Sequence, residues 1–89
     1  MQIRTSIERK LTDALSPILL RVEDESHRHA KHGNQHPDGE THFNIAVISA
    51  AFSGKSRIER HRMIHSLLAE ELSSRVHALR LSIKTPDEA

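Results

Sequence analysis

Two short segments that alternate in the manner of β-strands flank a stretch of chain suited to neither helix nor strand. Residues 18–25, ILLRVEDE, run apolar and then alternate, and residues 42–49, HFNIAVIS, place Phe43, Ile45 and Val47 on one face with period two. Between them Gly33, Asn34, Pro37 and Gly39 break any regular pattern. Two strands joined in this way most simply form a hairpin, with a long connecting loop at about 26–41. Connections longer than about 12 residues are often functional or disordered.

The remaining elements follow from periodicity. Ile3, Ile7, Leu11 and Leu15 recur every four residues, with Ala14 beside them, as in an amphipathic helix. Ser16-Pro17 stops it, because the residue before proline is pushed out of the helical region. Ser56 and Glu59 have the spacing of a capping box and open a second helix, expected to run to Ser73-Ser74. On a 3.6-residue period Ile58, His61, Ile64, His65, Leu68 and Leu72 share its apolar face. A last strand, VHALRLSIK, sets His77, Leu79, Leu81 and Ile83 against Val76, Ala78, Arg80, Ser82 and Lys84, and an extra helical turn before it is allowed. The order α-β-β-α-β predicts a small α+β sandwich, a three-stranded sheet with helices on one face. With 89 residues the chain reads as a single domain, 1–89, with one modest core.

Composition excludes several function classes. The formal net charge is only +1, so no overall field marks a nucleic-acid or membrane protein. No apolar run is long enough to span a bilayer, and the N-terminal MQIRTSIERKLTDAL lacks a signal-peptide core. Cysteine is absent, which removes disulfides, thiol nucleophiles and thiolate metal sites. No Gly-x-Ser-x-Gly and no carboxylate pair in a recognisable context supports catalysis, so an enzyme is not expected.

Individual motifs point in different directions. SAAFSGKS ends like a phosphate loop, but Ser49 stands where the first glycine belongs, and Gly54 reads instead as a turn. Arg57, Arg60, Arg62 and His65 crowd two helical turns, yet Glu59, Glu70 and Glu71 dilute them and base-stacking aromatics are scarce. His61 reads as a satisfied core histidine. His77, at the first turn of the last strand, is equally open to core packing and to function. HRHAKHGNQHPDGETH holds His27, His29, His32, His36 and His42. A dedicated zinc site wants about four ligands on rigid elements, so spacing favours a solvated loop with adventitious zinc, nickel or copper binding.

Four blocks taken together are more specific. VEDESHRHA, GETHFNIAVIS, FSGKSRIERHRMIHSLLAEEL and VHALRLSIKTP, in this order, resemble the BolA family over nearly the whole chain. The resemblance implies an α-β-β-α-β domain related to the class II KH fold. It also implies a non-enzymatic accessory protein of iron–sulfur and iron homeostasis, monomeric when alone, that pairs with a monothiol glutaredoxin. The two proteins would share a 2Fe–2S cluster, the glutaredoxin giving its cysteine and a glutathione thiol. His77 falls on the family's C-terminal histidine ligand, and the loop ligand falls best on His29, with His27 and His32 as substitutes. A second implied role is transcriptional regulation, with DNA contacted through Lys55, Arg57, Arg60, Arg62 and His61 around the second helix. The second glycine of a KH Gly-x-x-Gly loop is missing from GKSR, which counts against KH-type RNA binding. The expected location is a bacterial cytosol or an organelle matrix, with no membrane contact.

Overall fold

The computed structural model describes residues 3–25 and 41–89. Helix α1 (Ile3–Leu15) buries Ile7, Leu11 and Leu15, the stripe its sequence period marks out. It stops at Ser16, which takes a left-handed φ of +43° just before Pro17. The last turn of a helix leaves carbonyls without partners. Here the Leu15 carbonyl accepts a 2.6 Å hydrogen bond from the buried Ser49 hydroxyl, which pins α1 to the sheet.

Strands β1 (Leu19–Asp24) and β2 (His42–Ile48) are antiparallel, and β3 (Ala78–Lys84) lies parallel to β2, giving a mixed sheet in the order β1-β2-β3. The register sets Val22 opposite Ile45, and Ile45 opposite Leu81, so these residues share the face that meets the helices. Val22, Phe43, Ile45 and Val47 are fully buried there, with Leu79, Leu81 and Ile83 packed against them. The other face carries Arg21, Glu23, Asn44, Arg80, Ser82 and Lys84. The expected hairpin and one-sided helical cover are both observed. A parallel β2–β3 pair requires a crossover, and the second helical region supplies it.

A 3-10 turn, Ala50–Phe52, buries Phe52. It leads to the left-handed Gly54 (φ +77°), where the chain turns into α2 (Arg57–Leu67). The capping box is present: Ser56 N–H donates to Glu59 Oε1 at 2.8 Å, and Glu59 N–H donates to Ser56 Oγ at 3.1 Å. The single helix expected to Ser74 is instead two. Leu68 leaves helical geometry (φ −105°, ψ 21°), and a short α3 (Ala69–Ser74) follows.

The buried stripe of α2 is also rotated from the expected one. Ile64 and Leu68 are fully buried and Met63, Leu67 and Leu72 pack on the core, whereas Ile58 is 64% exposed and His65 is exposed. His61 is half-buried rather than a core histidine. At about 100° per residue, Ile58 and His65 lie roughly 120° and 100° round from Ile64, beyond the face that can meet a sheet. Arg60 and Glu71 fall near the middle of the true stripe, and both are ion-paired.

Candidate functional site

One end of the sheet brings together two of the four histidines in the described residues, His42 and His77, while His61 and His65 lie on α2. The His77 N–H donates to the Thr41 carbonyl at 2.7 Å, and the Ala78 N–H reaches the same oxygen at 3.3 Å. That bond fixes the start of β3 against the start of β2. Beside it the His42 and His77 rings stand 6.2 Å apart, tilted by 42°. The hydroxyl of buried Thr41 lies 2.9 Å from His42 Nδ1 and orients that ring. His77 is exposed and His42 half-buried. Position 77 shares the core phase of β3, but it precedes the first strand residue and so escapes the packing of Leu79, Leu81 and Ile83.

The same edge bounds the histidine-rich segment. Glu25 N–H donates to the His42 carbonyl at 2.7 Å, so the chain leaves β1 and re-enters at Thr41 beside the His42–His77 pair. His27, His29, His32 and His36 lie outside the described residues. Among the described residues no group of three or more His, Asp or Glu side chains could hold a metal ion. In the sequence His42 is one of the five histidines of the 27–42 stretch and the first residue of a strand. Its proximity to His77 depends on the parallel β2–β3 register, which no local pattern reveals.

The basic residues of α2 divide in two. Lys55, Arg57 and Arg62 are exposed. Arg60 instead folds back: its Nε–H donates to the Lys55 carbonyl at 3.0 Å, and its two terminal nitrogens donate to Glu88 at 2.7 and 3.0 Å. Glu88 sits on a closing 3-10 turn, Pro86–Glu88, and also accepts from the Thr85 N–H at 2.9 Å. Hydrogen bonds from Arg60 and from the Thr85 backbone lower its pKa to about 2. Lys55, Arg57, Arg60, His61 and Glu88 surround a cleft of about 380 Å³ floored by Leu81 and Ile83. Glu88, which no motif in the sequence singles out, is the residue that the expected set of contacts omitted.

The comparisons with known proteins agree with this architecture. A family model described as BolA-like protein matches residues 11–88. The chain belongs to the BolA family. The BolA domain of SufE1 from Arabidopsis thaliana superimposes with a TM-score of 0.89 at 47% identity, over 100% of this chain and 98% of that one. SufE-like protein 1 of Arabidopsis thaliana is 50% identical over 86 residues, which is 92% of this chain but 23% of that protein. The Escherichia coli protein named DNA-binding transcriptional regulator BolA is 48% identical, across 99% of this chain and 80% of its own length. This BolA domain therefore spans under a quarter of its plant relative and most of its bacterial one. Among the described residues, no helix is long and apolar enough to cross a membrane.

Proposed function

We propose that this BolA-family chain is a non-enzymatic accessory protein of iron–sulfur and iron homeostasis that binds a monothiol glutaredoxin and holds one side of a shared 2Fe–2S cluster. The observation that carries the reading is His77: an exposed imidazole, tied to Thr41 through its backbone, at the edge where the histidine-rich segment leaves and returns. The chain has no cysteine, so its donors are imidazoles and the thiolates come from the glutaredoxin and its glutathione. The donor set fits a half-site. His77 would ligate, with His29 as the loop donor and His27 or His32 as substitutes. Imidazole in place of thiolate raises a cluster's reduction potential. Such a protein would work in a bacterial cytosol or an organelle matrix.

The test is reconstitution with a monothiol glutaredoxin, ferrous iron, sulfide and glutathione, followed by visible absorption and circular dichroism. The expected spectrum differs from that of the glutaredoxin's own homodimeric cluster, and His77→Ala returns it to the homodimer form. An unchanged spectrum in His77→Ala would remove His77 as a ligand. Single changes at His27, His29 and His32 identify the loop donor.

A second reading, duplex-DNA binding, is favoured by the exposed Lys55, Arg57 and Arg62 on and before α2, and by the name of the Escherichia coli relative. Both phenylalanines, the chain's only aromatic residues among Phe, Tyr and Trp, are buried, which leaves phosphate contact rather than base stacking as the available mode. Binding would weaken steeply with salt, and more so than for variants lacking Arg57 or Arg62.

A further inference from the structure

The cleft at the start of α2 is lined by four nitrogen-bearing side chains and already contains an oxyanion, the chain's own Glu88. The carboxylate meets Arg60 in a two-point contact of 2.7 and 3.0 Å, the geometry by which a guanidinium grips either a carboxylate or a phosphate. Lys55, Arg57 and His61 line the same cleft, with Leu81 and Ile83 beneath. Two further acidic and polar groups belong to the turn that delivers Glu88. Asp87 accepts from the Thr85 hydroxyl at 2.6 Å, and the Thr85 N–H bonds Glu88 itself. Glu88 is therefore held by a three-residue turn, and its side chain remains 43% exposed against 13% for that of Arg60. An exposed carboxylate on so short a turn is a replaceable partner for a buried-side guanidinium, since another oxyanion can make the same two-point contact.

We infer that this cleft is an oxyanion site which Glu88 fills in cis and a backbone phosphate of duplex DNA fills in trans, so that Glu88 limits the chain's affinity for DNA. The inference rests on the second functional reading and adds a site and a competitor to it. Arg60 then belongs to a different class from Arg57 and Arg62. Those two meet phosphates from the free protein, while Arg60 does so only by exchanging one anion for another.

The experiment is a titration of a labelled 20-base-pair duplex at several salt concentrations with the full chain and three variants. Glu88→Gln keeps the turn's hydrogen-bonding shape and removes its charge. It should bind about tenfold more tightly, with the slope of log affinity against log salt steeper by about 0.9, the equivalent of one more phosphate contact. Glu23→Gln removes an equal charge from the opposite sheet face and should change neither quantity comparably. Arg60→Gln combined with Glu88→Gln should abolish the gain. Independently of any variant, the Arg60 Nε–H resonance should move when the unmodified protein is saturated with duplex. Equal affinity and slope for Glu88→Gln and the unmodified chain, or an equal gain from Glu23→Gln, overturns the inference while leaving DNA binding intact. A stationary Arg60 resonance at saturation overturns it as well. No binding by any form overturns both the inference and the DNA reading on which it rests.

Discussion

Arg60 and Glu71 show how a charged residue can sit in an apolar stripe without breaking the fold. Each lies near the centre of the buried face of the α2–α3 region, and each is met by an opposite charge from a distant part of the chain. Glu71 accepts from the Ser6 hydroxyl at 2.7 Å and pairs with Lys10 at 2.9 Å, while Arg60 pairs with Glu88. Burial pushes the Glu71 carboxyl up, but the Ser6 and Lys10 bonds outweigh it and its pKa is lowered. Because a hydrophobicity pattern scores such residues as solvent-facing, it turned the predicted stripe toward Ile58 and His65. Ser16 is a second residue whose environment matters more than its identity. A non-glycine residue at positive φ pays a steric cost that glycine does not. Ser16→Gly is expected to stabilise the domain by about 0.5 kcal/mol, the relieved strain being partly offset by glycine's greater freedom when unfolded. Urea unfolding at neutral pH measures it, and an unchanged or lower midpoint contradicts it.

Among the elements, α3 is the least self-sufficient. Six residues are too few to persist as an isolated helix in water, so α3 must be held by tertiary contacts. Its Glu71 side chain reaches α1 through Ser6 and Lys10, and its Glu71 carbonyl accepts the N–H groups of Arg75 and Val76 at 3.2 and 3.0 Å. That second pair ends the helix and directs the chain into buried Val76 and then His77. Glu71→Ala should therefore cost about 1–3 kcal/mol of stability, since it strips Ser6 and Lys10 of their buried-side partner. The loss would appear as a lower denaturation midpoint. If Glu71 anchors the approach to β3, the same variant should also broaden the His77 backbone amide resonance while leaving β1 amides sharp. The capping box was legible because caps are local signals, whereas the loop expected at about 26–41 lies almost wholly outside the described residues. The break at Leu68 was not legible, because nothing near it in sequence forbids a helix.

At the scale of the whole molecule, acid sensitivity has an assignable source. Glu88 has a pKa depressed from 4.5 to about 2 in the folded chain, so its contribution is complete above about pH 4.5 and is lost as the pH falls toward 2. Glu71 acts in the same direction. Thermal midpoints should fall over that interval, and Glu88→Gln should flatten the decline; parallel profiles for the two proteins would show that Glu88 does not contribute. Strand alternation, helix period and caps are properties of neighbouring residues, which is why the α+β class, the hairpin and the one-sided helical cover could be read from the chain. The parallel register of β3 on β2, the His42–His77 pair and the Arg60–Glu88 pair join residues tens of positions apart. Such contacts exist only once the backbone has closed and the burial of one face has chosen the register, and both candidate sites are built from them.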